Sequence, residues 1–127
     1  MIAADSSTWI AFLEGVPGRD TELLDQALAD RQLLMIPAVF TELFSDASLP
    51  PSVARGLSAV PLIDLEAGYW HRAGLLRAKV LSIRRKARLG DALIAQTCLD
   101  RKLPLLTRDK DFAAFSEVSQ LNVIFNQ

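Results

Sequence analysis

The stretch LGDALIAQTCLDRKLPLLTRDKDF, residues 89–112, decides the expected fold. Its first half carries apolar residues at helical spacing from Asp91 onward, which predicts a helix that ends before Pro104. Leu105 and Leu106 then form an apolar run that is too short to be anything but a buried strand. A helix followed directly by a buried strand is the unit from which parallel sheets are built.

The rest of the chain repeats this alternation. Short apolar runs predict about five strands, at residues 1–4, 33–36, 60–63, 105–106 and 121–125, with six or seven helices between them. One long helix is expected from Glu66 to about Lys86. The predicted fold is therefore α/β, with helices on both faces of a mostly parallel sheet, in a single domain over residues 1–127.

The composition excludes several classes of protein. Half of the 127 residues are apolar and 23% are charged, which is typical of a globular protein. The net charge of −1 means that any site for a polyanion must come from local clustering. One cysteine, Cys98, and one histidine, His71, are too few for a disulfide or a zinc site. Without a signal peptide or a long apolar run, we expect a cytoplasmic protein with no membrane contact.

Polar side chains follow the predicted strands or lie in the helices just beyond them. Six of these are candidate site residues: Asp5, Glu42, Asp91, Thr107, Asp109 and Asp111. Because the carboxyl ends of parallel strands meet at one edge of a sheet, where ligands bind, we expect these residues to gather there. Taken alone, Asp5 has the alternative of capping the next helix, and Glu42 that of a solvated surface residue.

Gathered carboxylates repel one another unless some are protonated or a cation neutralises them. Oxygen ligands without cysteine or paired histidine select Mg²⁺ or Mn²⁺ over zinc. Such an ion activates water and offsets charge as a phosphodiester is attacked. The hydroxyl of Thr107 is placed to hold a water or a carboxylate beside it. These residues therefore suggest a metal-dependent enzyme that cuts RNA.

A strongly basic segment precedes Asp91. Residues 67–90 contain no acid but hold seven of the 14 lysines and arginines, namely Arg72, Arg77, Lys79, Arg84, Arg85, Lys86 and Arg88. We expect the last four, Arg84, Arg85, Lys86 and Arg88, to bind RNA phosphates. The alternative is a solvated helix face, which is what charge runs usually are.

Three motifs resemble those of the PIN domain family, and more narrowly of the VapC toxins of bacterial toxin–antitoxin pairs. They are DSSTWIAFLEG from Asp5, PAVFTELF around Glu42, and GDALIAQTCLDRKLPLLTRDKDF around Asp91 and Asp109. The third is the most specific, and the resemblance covers essentially the whole chain. It implies a three-layer α/β/α fold, an endoribonuclease dependent on Mg²⁺ or Mn²⁺, inhibition by a VapB-like antitoxin, and a homodimer.

The resemblance also implies roles for the acids. Asp5, Glu42, Asp91 and Asp109 take the places of the catalytic acidic quartet, and Asp111 is a fifth acid. The expected metal ligands are Asp5, Asp91, Asp109 and Asp111. One departure is visible, because many relatives carry a glycine a few residues after the motif glutamate, where this chain reads Phe44-Ser45-Asp46. We expect this to change the following loop and not the acids.

Three other functions fit parts of the sequence. A catalytically inactive PIN-like scaffold would bind partners only. A nuclease directed at DNA or at ribosomal RNA processing would use the same acids. A receiver-like signalling module would use Asp64 as its phosphoacceptor, but it needs a lysine after the last strand, where Asn126 and Gln127 stand, and paired acids after the first strand, where Asp5 stands alone.

Overall fold

The computed structural model describes residues 1–126. Over that range a parallel sheet contains β1 (Ala3–Ala4), β2 (Leu105–Thr107) and β3 (Val123–Phe125), in the order β1-β2-β3. Ala3 lies opposite Leu105, which lies opposite Val123. The prediction of an α/β fold around a parallel sheet is confirmed.

Two of the predicted strands are reduced to single bridges. Leu33 pairs in parallel with Ile2, and Met35 pairs in parallel with Leu62, which extends the sheet beyond β1. The run at 33–36 is cut short because a helix begins at Pro37. The run at 60–63 contains Pro61, which has no N–H to donate to a ladder. Within the described chain, three of the expected five strands therefore form regular ladders.

Seven helices lie along the described residues: α1 (Ser6–Leu13), α2 (Arg19–Ala29), α3 (Pro37–Phe44), α4 (Pro51–Ser58), α5 (Tyr69–Ser82), α6 (Leu89–Arg101) and α7 (Phe112–Glu117). Helices α3 and α4 both begin with proline, whose missing N–H would be unpaired at that position anyway. Helix α1 packs on α2, and α6 packs on α5 and α7. Among residues 1–126, no helix combines the length and apolar character needed to cross a bilayer.

The hydrophobic core joins the sheet to both helix groups. Its largest fully buried side chains include Trp9 of α1, Ile94 of α6, Leu105 of β2 and Phe115 of α7. Cys98 is also fully buried, and burial raises the pKa of its thiol to about 12. It therefore packs as a small apolar residue and stays protonated at neutral pH. This core fixes the ends of β1, β2 and α6 relative to one another.

The basic segment is not one continuous helix, so the predicted helix from Glu66 to Lys86 is wrong at both ends. Helix α5 begins at Tyr69 and ends at Ser82, and Arg84 adopts a left-handed backbone with φ of 60°. A left-handed residue ends a helix, and glycine, the usual signal for one, is absent there. The four arginines and lysines expected to bind RNA therefore lie on an exposed loop between α5 and α6.

Candidate metal centre

Three carboxylates meet at the carboxyl end of β2. Asp91, Asp109 and Asp111 each offer one oxygen, and these oxygens lie within 4.8 Å of one another. Asp91 is in the first turn of α6, Asp109 follows β2 by two residues, and Asp111 is the residue before α7. The fold thus joins the ends of three elements into one group, which we call the aspartate triad.

Asp91 is the electrostatic centre of the triad. Its Oδ2 is buried and has no hydrogen-bond partner among the described residues. Burial raises the pKa of Asp91 to about 6, and the charges of Asp109, Asp111 and Asp5 add to that rise. The charge of Arg88 acts in the opposite direction. Burying a carboxylate oxygen without a partner costs folding free energy. A bound proton or a cation at this atom would remove that cost.

Backbone hydrogen bonds fix the other two members of the triad. The N–H of Asp109 donates to Thr107 Oγ1 over 2.9 Å, and the N–H of Asp111 donates to Asp109 Oδ1 over 2.9 Å. Lys86 Nζ lies 3.3 Å from Asp111 Oδ2 in a pair whose side chains are both partly exposed. Such a pair adds little stability, so Lys86 can leave Asp111 and bind another anion at little cost in free energy.

Asp5 lies beside the triad but outside it. It is almost fully buried, and its Oδ1 accepts from the N–H of Thr8 at 3.1 Å and from Ser7 Oγ at 2.7 Å. Its Oδ2 accepts from Thr107 Oγ1 at 2.6 Å. Burial raises the pKa of Asp5, these hydrogen bonds oppose the rise, and the charge of Asp109 adds to it. Asp5 therefore caps α1 and also adjoins the triad, and its role as a metal ligand stays a prediction.

Glu42 stands at the rim of the same region. It is exposed on α3, and its Oε2 accepts a hydrogen bond from Ser6 Oγ over 3.3 Å. Because Ser6 follows Asp5, this contact places Glu42 beside the amino end of α1. Glu42 is not part of the aspartate triad.

The predicted RNA-binding residues differ in their surroundings. Arg85 pairs with Glu117 over 2.6 Å, with both side chains well exposed. Arg88 is near enough to Asp91 to lower its pKa. Within residues 1–126, no carboxylate lies within ion-pair distance of Arg84 or Arg88. Two guanidinium groups on this loop thus remain available to an incoming anion.

The donor set suits a divalent cation. Three carboxylates converge, one buried oxygen has no partner among the described residues, and burial together with like charges raises the pKa of Asp91. A hard cation would satisfy that oxygen and remove the repulsion in one step. The triad alone offers no nitrogen or sulfur ligand, which matches the oxygen preference of Mg²⁺ and Mn²⁺.

Two residues behind the site were missed by sequence reasoning. Asp20 is fully buried, and Arg108 donates to both of its oxygens. Arg108 lies inside the quoted motif, but its partner is 88 residues away at the start of α2. Helical periodicity treats Asp20 as an ordinary first-turn acid, so no pattern in the chain connects the two.

The family of the chain follows from comparison with known proteins. The family model described as the PIN domain matches residues 2–118. The chain belongs to the PIN domain family. This membership agrees with the motifs around Asp5, Glu42, Asp91 and Asp109, and it sets aside the receiver-like alternative based on Asp64.

Individual PIN relatives extend this finding. The chain is 27% identical over 97 residues to Ribonuclease VapC5 of Mycobacterium tuberculosis, covering 76% of this chain and 70% of the relative. A crystal structure of VapBC2 from Rickettsia felis, bound to a promoter DNA fragment, matches with a TM-score of 0.75 and 18% identity, covering 98% of each chain. VapBC-5 from Mycobacterium tuberculosis matches with a TM-score of 0.66 and 21% identity, covering 98% of this chain and 97% of that one. These structures share the fold.

Asp91→Asn is expected to stabilise the metal-free PIN domain at neutral pH. The pKa of Asp91 rises from 3.8 to about 6 on folding, so the folded state holds the proton more tightly than the unfolded chain. Ionisation of Asp91 between about pH 4 and pH 6 therefore costs stability, and asparagine avoids that cost. Solvent screening at this half-buried site reduces the gain to about 1 kcal/mol.

Urea unfolding in EDTA at about pH 4 and pH 7.5 measures this effect. The gain is expected at the higher pH and should be much smaller at the lower one, which is close to the unfolded pKa of 3.8. Asp25→Asn, an exposed change on α2, is the matched control and should show no such difference between the two pH values. An equal free energy of unfolding for wild type and Asp91→Asn at pH 7.5 would refute the proposed repulsion.

Proposed function

We propose that this PIN domain is a metal-dependent endoribonuclease and the toxin of a VapBC-type pair, neutralised by a VapB-like antitoxin. The observation that carries the proposal is the aspartate triad, with the buried, unpartnered Oδ2 of Asp91 at its centre. The ribonuclease named among its relatives supports the activity, and the toxin–antitoxin complexes among its structural neighbours support the partner.

The proposed metal ligands are Asp5, Asp91, Asp109 and Asp111. Bound Mg²⁺ or Mn²⁺ would supply positive charge against the phosphate and a water of lowered pKa. Of these residues, Asp91 and Asp109 would bind most directly, since the charge of Asp109 acts on Asp91 more strongly than the charges of Asp111 and Asp5. Asp5 is held by three hydrogen bonds, which leaves it rigid and turned toward the same region.

Glu42 completes the proposed catalytic set of Asp5, Glu42, Asp91 and Asp109. Its carboxylate is exposed at the rim and held by a single hydrogen bond from Ser6. An exposed carboxylate at this point can orient a water or accept its proton at Oε2. Thr107 would act through Asp5 and Asp109, because its hydroxyl donates to the first and accepts from the backbone of the second.

The loop between α5 and α6 would hold the RNA backbone. Arg84, Arg85, Lys86 and Arg88 are all exposed there, and Lys86 and Arg88 lie nearest to the acids. Their positive charges would draw a polyanion toward a site that is otherwise negative. Contacts to phosphates position a strand without reading its bases, so this loop accounts for affinity and not for the choice of sequence.

Arg84→Ala combined with Arg88→Ala is expected to flatten the salt dependence of RNA binding. Each phosphate contact on a single strand contributes about 0.7 to the slope of log K against log salt, so losing two lowers the slope by about 1.4. Binding of a fluorescent single-stranded RNA by a non-cleaving variant measures it. Arg55→Ala on α4 is the control. An unchanged slope in the double variant would leave the loop as a solvated surface.

Cleavage of a mixed RNA pool tests the proposed activity. We expect cleavage with Mg²⁺ or Mn²⁺ and none with EDTA. Single-stranded DNA of matched sequence is the control for substrate class, and its preferential cleavage would favour the DNA-directed alternative. No cleavage with either metal, by protein shown to be folded, would favour the inactive scaffold instead.

Toxin action and its partners have separate tests. Expression in a bacterial host should stop growth, and co-expression of a cognate VapB-like antitoxin should restore it. We also propose a homodimer, which sedimentation velocity would detect. A cytoplasmic location is part of the same proposal, because the proposed RNA substrate would be met there. Undisturbed growth despite accumulation of the folded protein would contradict the role as a toxin.

A further inference from the structure

A partly buried ion pair adjoins the aspartate triad: the side chain of Asp20 is fully buried and that of Arg108 is 24% exposed. Arg108 lies between Thr107 and Asp109, and its guanidinium turns to Asp20. Its Nε donates to Asp20 Oδ2 over 2.8 Å, and its Nη2 donates to Asp20 Oδ1 over 2.9 Å. The Nη2 also donates to the carbonyl of Pro17 over 2.9 Å. This fork-to-fork geometry fixes both position and orientation of the loop that carries Asp109.

Asp20 also reaches the other side of the site. Its Oδ2 accepts from Thr8 Oγ1 over 2.9 Å, and the N–H of Thr8 donates to Asp5. A parallel link runs through Ser7, whose Oγ accepts from the N–H of Arg108 over 3.0 Å and donates to Asp5. The same ion pair is therefore connected both to Asp5 and to the backbone that places Asp109.

The turn before α2 is shaped to admit this pair. A Cβ placed on Gly18 would collide with the Arg108 guanidinium and with the side chains of Asp20 and Asn126. Any larger residue at Gly18 would therefore displace the guanidinium. The absence of a side chain at Gly18 therefore leaves the space that this pair occupies.

We propose that Asp20 and Arg108 are positioning residues that set the separation between Asp5 and the triad. The inference rests on the proposed metal-dependent function. Removing one charge of a buried pair leaves the other uncompensated, whereas removing both can restore stability. Positioning behaves differently, because two uncharged replacements remove the charge imbalance without restoring the two directed hydrogen bonds. The double variant should therefore recover stability without recovering metal affinity.

The test uses Asp20→Asn, Arg108→Lys and the double variant Asp20→Asn with Arg108→Met. Mn²⁺ affinity is measured by calorimetric titration, and amide hydrogen exchange over residues 107–111 is measured without metal. The matched control is Asp100→Asn, which breaks another bidentate pair, formed by Arg72 and Asp100 between α5 and α6. Thermal unfolding of every variant reports stability.

We expect the two single variants to lose about tenfold or more in Mn²⁺ affinity and to lose amide protection at Asp109. The double variant should regain unfolding temperature but not affinity or protection. Asp100→Asn should lose stability alone. Unchanged protection at Asp109 in Asp20→Asn would overturn the proposal even if the protein binds no metal, and affinity that recovers along with stability would reduce the pair to a structural role.

Discussion

Asp91→Asn is expected to abolish RNA cleavage, lowering kcat/KM by more than about a hundredfold. Outer residues that only orient a metal ligand already cost 10–100-fold in affinity or activity, and Asp91 would be a ligand itself. Asparagine keeps the shape of the side chain but removes the charge that makes Oδ2 a good ligand. Initial cleavage rates on a defined RNA with Mg²⁺, at pH about 7.5, measure the loss.

The design separates chemistry from folding. Asp91→Asn should be at least as stable as wild type without metal, because it relieves repulsion in the triad. Asp64→Asn is the matched control and should cleave RNA at the wild-type rate. Asp64 is exposed, and its hydrogen bond with Arg101 is accepted by its backbone carbonyl rather than by its side chain. Cleavage by folded Asp91→Asn at the wild-type rate would remove Asp91 from the reaction.

Thr107→Val is expected to have the second-largest effect, because one hydroxyl serves both sides of the site. Thr107 is fully buried, donates to Asp5 Oδ2 over 2.6 Å and accepts from the N–H of Asp109 over 2.9 Å. Valine keeps the volume but leaves both partners unsatisfied, which costs about 2 kcal/mol of unfolding free energy. Mn²⁺ affinity should fall about 10–100-fold, since Asp109 loses its orientation.

A second threonine provides the comparison for Thr107→Val. Thr97 is also fully buried, and its hydroxyl bonds to Tyr69 and to the carbonyl of Leu93 in the contact of α5 with α6. Thr97→Val should lower stability and leave Mn²⁺ affinity unchanged. Urea unfolding and metal titration of both variants measure this. Equal affinity in Thr107→Val and wild type would show that its hydroxyl holds the fold and does not orient the acids.

The gathering of Asp91, Asp109 and Asp111 could be predicted because the alternation of helices and strands carries topological information. Residues that follow a parallel strand, and those that begin a helix packed on the sheet, lie at the same edge of the sheet. Asp5 shows the limit of this reasoning. The sequence offers a helix cap and a site residue as alternatives, but in the structure the same side chain caps α1 and also contacts Thr107 beside the triad. The order of elements in the sequence predicts the edge of the sheet at which a residue lies, whereas the distances between the carboxylates depend on tertiary packing.

Features that depend on long-range pairing could not be predicted. The Asp20–Arg108 pair is formed by residues with no shared periodicity, and a buried acid looks the same in sequence as an exposed one. The end of α5 was missed because Arg84 takes a left-handed backbone without a glycine to signal it. Tertiary contacts such as that of Arg77 Nε with the carbonyl of Ala87 hold this turn and override local propensity.

Mn²⁺ titration of wild type, Asp91→Asn and Glu42→Gln tests the central claim most directly. The aspartate triad includes Asp91 and excludes Glu42. We therefore predict saturable binding by wild type, loss of binding in Asp91→Asn, and retained binding in Glu42→Gln even though that variant no longer cleaves RNA. Equal Mn²⁺ affinity in wild type and Asp91→Asn would contradict the assignment of the triad as the metal centre.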